Sequence, residues 1–151
     1  ESVTGCFDYH AGTKPLLISI PHDGRALPPA LAERMTGHAR ELPDTDWHVC
    51  RLYEFSKALG ASVIAANYSR YVVDLNRSHT DEVLYKNQFV TGLCPEQTFD
   101  GQDIYLPREN VSADEKRDRI ENYWRPYHDR ILSDQLFRPH VFTQPEPIAD
   151  I

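Results

Sequence analysis

The stretch LLISIPHDGRALPP, residues Leu16–Pro29, runs from an apolar segment straight into a polar turn. Pro15–Ile20 is short, apolar and bounded by prolines, and it reads as a buried strand that Pro21 closes. His22-Asp23-Gly24 follows at once. In open α/β sheets ligands bind outside the carboxyl ends of strands, and His22 stands at that place. A histidine there is either a hydrogen-bonded loop residue or a side chain at the mouth of a site, and the stretch alone leaves both open.

Working outward, Pro28 and Pro29 lead into a short helix over Ala30–Met35, and Gly37–Thr45 reads as a polar loop. Asp46–Leu59 has the pattern of an amphipathic helix. Val49, Leu52, Tyr53, Ser56 and Leu59 fall at helical spacing, with Phe55 beside them. Asp44 or Thr45 can cap its start and Gly60 can end it. Ser62–Ala66 is predicted as a second strand and Tyr71–Leu75 as a third. Strand, helix and strand in that order predict a three-layer α/β fold, its sheet flanked by crossover helices.

Asn76–Val111 is a long connection with Gly92, Pro95, Gly101 and Pro107, and loops of that length are more often functional than idle. Ser112-Ala-Asp-Glu115 has the form of a capping box. The helix it opens carries an apolar stripe of Ile120, Trp124, Tyr127 and Ile131, and Pro126 is expected to kink it. Beyond Leu136 the pattern fails, so residues 1–136 are predicted as the domain and 137–151 as a proline-rich tail.

A chain of 151 residues with 40% hydrophobic and 26% charged side chains fits one globular domain. Its net charge of −7 and lack of a Lys/Arg cluster argue against nucleic acid as a partner. No apolar run reaches the length of a membrane span, and no signal peptide is evident. Cys6, Cys50 and Cys94 are widely spaced with no Cys-x-x-Cys, which predicts free thiols and a cytoplasmic setting. The chain starts at Glu1 rather than Met, as a processed or partial chain would.

Three groups of residues could carry chemistry. His22 is the first. The second is Asp44-Thr45-Asp46, in which Asp44 and Thr45 have a ready role as caps. The helical pattern puts Asp46 on the inward face one turn before the core stripe, where a carboxylate is favoured by the helix dipole and available to a metal. His48 points elsewhere on that helix. The third is Ser69-Arg-Tyr-Val-Val-Asp-Leu-Asn-Arg77. Asp74 with Arg70 or Arg77 can be a plain ion pair; alternatively Asn76 and Arg77 clamp a carboxylate, since Arg offers a planar fork for two parallel hydrogen bonds. Arg70 is either a second clamp or the partner of Asp74. His22 and Asp46 together make two nitrogen and oxygen ligands, and a catalytic zinc usually takes three and keeps a position open for water.

PLLISIPHDG, LPDTDWHVCRLYEF, YSRYVVDLNR, TGLCPEQTFDG and YWRPYH, in that order, resemble the N-formylglutamate amidohydrolase (deformylase) family from about Lys14 to about Leu136. The resemblance implies a zinc-carboxypeptidase-like fold with a mixed, mostly parallel sheet, distantly similar to the aspartoacylase group. It implies zinc-dependent cleavage of N-formyl-L-glutamate to formate and L-glutamate, in histidine degradation. Carried over, His22 is a zinc ligand, Asp46 is the carboxylate ligand with Asp44 as the alternative, and Asn76 and Arg77 hold the substrate carboxylate. Cys50 stands where the family helix has an acidic residue. The resemblance also implies a third zinc ligand in a later Asp-Ala-His-Ser strand, and a general base from that later part as well. Neither appears before Ile151, and His140 sits in a proline-rich context, so the chain is expected to be the N-terminal portion of such an enzyme. The rival expectations are a zinc hydrolase of another N-acyl amino acid, and an inactive fragment or binding module for acidic amino-acid derivatives.

Overall fold

The computed structural model describes residues 5–81 and 92–137. Three strands form one mixed sheet, β1 (Phe7–His10), β2 (Leu17–Ile20) and β3 (Ser62–Ala66), in the order β1-β3-β2. The predicted second and third apolar segments of the chain diverge here: β2 and β3 pair in parallel, with Ile20 opposite Ala65, whereas Tyr71–Leu75 is not a strand. β1, which the sequence reading lacked, pairs antiparallel with the other edge of β3, Tyr9 opposite Ile64. The sheet therefore has one parallel and one antiparallel pair among the described residues rather than a mostly parallel layout.

Tyr71–Leu75 is buried throughout but bends instead of laddering. Ser69 starts a turn, its carbonyl taking the Val72 N–H and its hydroxyl the Tyr71 N–H. The buried Arg70–Asp74 ion pair then draws the two ends of the segment together. Its carbonyls are met by side chains: Arg119 donates to the Tyr71 and Val72 oxygens. An apolar run predicts burial well and a strand less well, because a buried backbone needs partners but not a neighbouring strand.

The crossover from β2 to β3 is made of short helices, α1 (Pro29–Ala32), α2 (Gly37–Arg40), α3 (Val49–Leu52) and α4 (Phe55–Ala58). The predicted polar loop over Gly37–Thr45 thus contains α2, capped by Thr36, with Ala39 and Leu42 buried. The predicted helix over Asp46–Leu59 is two pieces, and most of its predicted apolar stripe faces outward. Ser56 is the buried position, while Leu52, Phe55 and Leu59 are 67%, 59% and 67% exposed. A serine can sit inward because its hydroxyl bonds the Tyr53 carbonyl at 2.6 Å. Gly60, at φ 91°, ends the segment as expected. Leu59→Lys should therefore shift stability by no more than about 0.5 kcal/mol, read as an unchanged urea midpoint. A loss of about 2–5 kcal/mol, the cost of a core truncation, would restore Leu59 to the core.

The C-terminal helical segment runs as α5 (Ala113–Arg119), a π-turn (Ile120–Trp124) and α6 (Arg125–Phe137). Ser112 caps it by accepting the Glu115 N–H, as the capping box predicts. The Glu115 carboxylate turns instead to Arg34 and Arg119. The irregularity expected from Pro126 is the π-turn just before it. Tyr127 and Ile131 are buried against Ile64 and Ala66, with Ile120 and Trp124 at the margin, so the predicted stripe is the one that packs on the sheet. A second core gathers Leu31, Met35, Ala39 and Leu42 with Tyr71, Val72 and Ile104. Of the predicted tail, residues 138–151 and with them His140 lie outside the described residues. Among those described, no helix is long and apolar enough to cross a membrane.

Candidate functional site

His22 reaches its position through a bulge. Ile20 is paired with Ala65 and Ala26 bridges to Tyr68, so residues 21–25 on one chain oppose only 66 and 67 on the other. The excess loops out at the carboxyl end of β2 and carries His22, Asp23 and Gly24. A Cβ on Gly24 would stand 2.2 Å from the Tyr68 carbonyl oxygen, so the bulge closes against β3 only with glycine there.

Both ring nitrogens of His22 face carboxylates. Nε2 is 2.7 Å from Asp74 Oδ1, and Nδ1 is 3.5 Å from Asp46 Oδ2. Burial by itself would raise the Asp74 carboxyl. The His22 hydrogen bond and charge, the Arg70 guanidinium and the Asn76 N–H outweigh that and hold it at about 2. A carboxylate accepts, so Nε2–H donates. In the neutral imidazole this leaves the lone pair on Nδ1, the side toward Asp46. Asp74 is thus an orienting group for His22, in the manner of the carboxylate that fixes a metal-binding histidine.

Asp46 arrives by its backbone, whose N–H donates to the His22 carbonyl at 3.0 Å. It lies in the loop before α3 rather than on the inward face of a helix, and its side chain is 53% exposed. That loop is tied down by Asp23. Its two carboxylate oxygens accept the N–H groups of His48 and Cys50, at 3.2 and 2.7 Å. Asp23 therefore caps α3 from a distant part of the chain, the role expected of Asp44 or Thr45. It holds His48 in a left-handed conformation, φ 67°. Asp44 is occupied elsewhere: one oxygen accepts from the Tyr71 hydroxyl at 2.6 Å and from the Phe99 N–H at 3.0 Å.

Arg70 is buried, donates to Asp74 Oδ2 at 2.9 Å and to the Asp44 carbonyl at 3.4 Å, and lies over the Phe99 ring. Of its two predicted roles, the structure brings it to the one of Asp74's partner. Asn76, exposed, and Arg77, half-buried, follow Asp74 in a turn after the buried Leu75. The Asn76 N–H donates to the same Oδ1 that takes His22, and the Arg77 N–H to the Asp74 carbonyl. Asn76 thereby joins the His22 site through a shared atom.

Cys50, whose N–H Asp23 takes, is held in its thiol form. Burial, and then the hydrogen bond and charge of Asp23, push its thiol up to about 12. Alkylation of Cys50 by iodoacetamide at pH 8 should be at least about 100-fold slower than that of a free thiol, because the thiolate is the reacting form. Mass mapping of the alkylated peptides checks this.

A metal fits part of this site. His22 Nδ1 and Asp46 Oδ2 are a nitrogen and an oxygen donor 3.5 Å apart, about the spacing of two ligands on one tetrahedral zinc with bonds of roughly 2.0–2.2 Å. Among the described residues no group of three or more His, Cys, Asp or Glu side chains could hold an ion together. Two features were missed in the sequence: Asp74 as His22's orienter and Asp23 as the cap. The signal for the first was present, a lone carboxylate inside the buried run YVVDL. For the second nothing marked the partner.

Residues 14–138 match the model of the family described as N-formylglutamate amidohydrolase. An N-formylglutamate deformylase of Pseudomonas aeruginosa is 47% identical over 130 residues, covering 86% of this chain and 48% of that protein. One from Pseudomonas putida is 47% identical over 120 residues, 80% of this chain and 45% of that one. The crystal structure of N-formylglutamate amidohydrolase from Ralstonia eutropha superposes with a TM-score of 0.73 at 25% identity, over 89% of this chain and 52% of that one. The chain spans about half the length of the curated relatives it matches.

Proposed function

From the premise that the chain belongs to the N-formylglutamate amidohydrolase family, we propose that it carries part of the active site of a zinc-dependent N-formylglutamate deformylase. The observation that supports this most is the arrangement on His22: Asp74 on Nε2 at 2.7 Å and Asp46 3.5 Å from Nδ1. His22 and Asp46 would hold the zinc, in a carboxypeptidase-like site. When bound, zinc polarises an amide carbonyl and acidifies a water. The protein's own contribution is positional. Asp74 keeps the His22 ring in one tautomer and one orientation. Arg70 supplies the opposite charge that lets Asp74 remain ionised while 1% exposed.

The substrate is N-formyl-L-glutamate, as the names of the relatives suggest. Asn76 and Arg77 bind its carboxylates. The guanidinium offers the two parallel bonds and Asn76 a neutral donor, which fixes the formyl group relative to His22. Two anionic groups on a small substrate need such donors in a chain of net charge −7. The third metal donor and the general base then come from outside the described residues. The three cysteines are free thiols, which suits a cytoplasmic role in histidine degradation.

Formate release from N-formyl-L-glutamate by the intact protein, with and without a chelator, tests the proposal. The expected result is activity that a chelator removes and zinc restores. Chelator-insensitive turnover would reject the metal, and a clear preference for larger acyl groups would reject the substrate.

A further inference from the structure

The Asn76–Arg77 turn, with Asn76 exposed and Arg77 half-buried, is held on its carbonyl side from the α5–α6 segment. Trp124 Nε1 donates to the Arg77 carbonyl at 2.9 Å, and His128 Nε2 pairs with the Leu75 carbonyl at 2.9 Å. A carbonyl only accepts, so His128 carries its proton on Nε2. The two rings stack, centroids 3.9 Å apart and 24° from parallel. Arg119, one turn earlier, donates to the Val72 carbonyl at 3.0 Å. Three donors from one helical segment thus serve one stretch of chain, Val72 to Arg77.

An uninterrupted α-helix would not present them together. At 3.6 residues per turn, positions five apart are displaced by about 140° around the axis, and positions four apart by about 40°. Arg119 and Trp124 are five apart; Trp124 and His128 are four apart. The π-turn over Ile120–Trp124 absorbs one residue and returns Arg119 to the face of the other two.

We propose that Trp124 and His128 are positioning residues for the Asn76–Arg77 carboxylate clamp, and that the π-turn exists to register them with Arg119 on that face. The proposal rests on the clamp assigned above. Its geometry closes on the site: Asp74 holds the N–H side of the turn and also takes His22 Nε2, while Trp124 and His128 hold the carbonyl side. Loss of either carbonyl bond frees the turn to move relative to His22 while leaving the sheet packing of Tyr127 and Ile131 in place.

Trp124→Phe and His128→Phe keep an aromatic ring and remove the donor. In the intact protein, each variant should speed amide exchange at Asn76 and Arg77 by about five- to tenfold, the worth of one hydrogen bond. The amides of Val63–Ala65 should be unchanged. KM for N-formyl-L-glutamate should rise about tenfold with a smaller change in kcat, as loss of substrate orientation and binding predicts. Unchanged exchange at Asn76 and Arg77 overturns the proposal. So does a uniform increase that includes Val63–Ala65, since that marks a merely structural role. If the parent protein releases no formate, the deformylase reading fails by itself, and the exchange measurement alone decides the positioning role.

Discussion

Asp74→Asn is expected to lower the stability of the fold by about 3–5 kcal/mol, the cost of leaving a buried charge without its partner. The side chain is 1% exposed and carries three obligations at once. One oxygen faces Arg70; the other accepts from His22 and from the Asn76 N–H. The amide keeps the shape but not the charge, and among the described residues Arg70 has besides it the Asp44 carbonyl and the Phe99 ring. Urea denaturation gives the number, and Asp74→Leu combined with Arg70→Met should cost less than the sum of its parts, because no charge is then stranded. The pH dependence has a definite sign. The Asp74 carboxyl sits at about 2, below its usual value of 3.8. Between those values the unfolded chain binds the extra proton. The carboxylate therefore contributes about 2 kcal/mol above pH ~4 that is lost as pH falls toward 2. The Asn variant should lack that component of the acid transition. A midpoint within about 0.5 kcal/mol of the parent would mean that the pair is solvated and the site loosely built.

How far such a network shows in a linear sequence depends on what holds each part. β2 and β3 are short apolar runs that composition and flanking breakers mark, and the stripe Tyr127–Ile131 is one that helical periodicity marks. β1 is four residues, FDYH, half of them polar, and exists because β3 offers it an edge. YVVDL had the composition of a strand, but Ser69, Arg70 and Asp74 bend it through bonds that composition does not display. The helical spacing from Val49 to Leu59 was real and its facing was not. Periodicity finds an apolar side without saying what it meets. The contacts around His22 divide in the same way. The place of His22 at a strand end could be read from the strand it follows. Asp74 binds His22 across 52 positions, and Trp124 binds Arg77 across 47. Those pairings are made by the fold, and a local window contains neither partner.

The sharpest separation of chemistry from folding lies in the Asp44-Thr45-Asp46 triplet. His22→Ala should reduce formate release by at least about a thousandfold. A bound zinc contributes several kcal/mol of transition-state stabilisation, and each 1.4 kcal/mol is tenfold in rate. That variant also removes a buried hydrogen bond to a charged group, so stability falls by about 1.5–3 kcal/mol. Asp46→Ala isolates the chemistry. Its carboxylate is 53% exposed, and its tie to His22 runs through the backbone, which alanine keeps. Activity should fall as far as in the His22 variant, with zinc content lost and the urea midpoint of the metal-free protein unmoved. Asp44→Ala should do the opposite. It strands the Tyr71 hydroxyl, whose residue is 2% exposed, at about 1–3 kcal/mol for an unsatisfied buried group. Metal content should be retained. Two carboxylates two residues apart thus give crossed outcomes, one in zinc and turnover, the other in stability. If Asp44→Ala loses the zinc and Asp46→Ala keeps it, the metal belongs to Asp44, and the 3.5 Å approach of Asp46 to His22 is an ion pair with no part in the reaction.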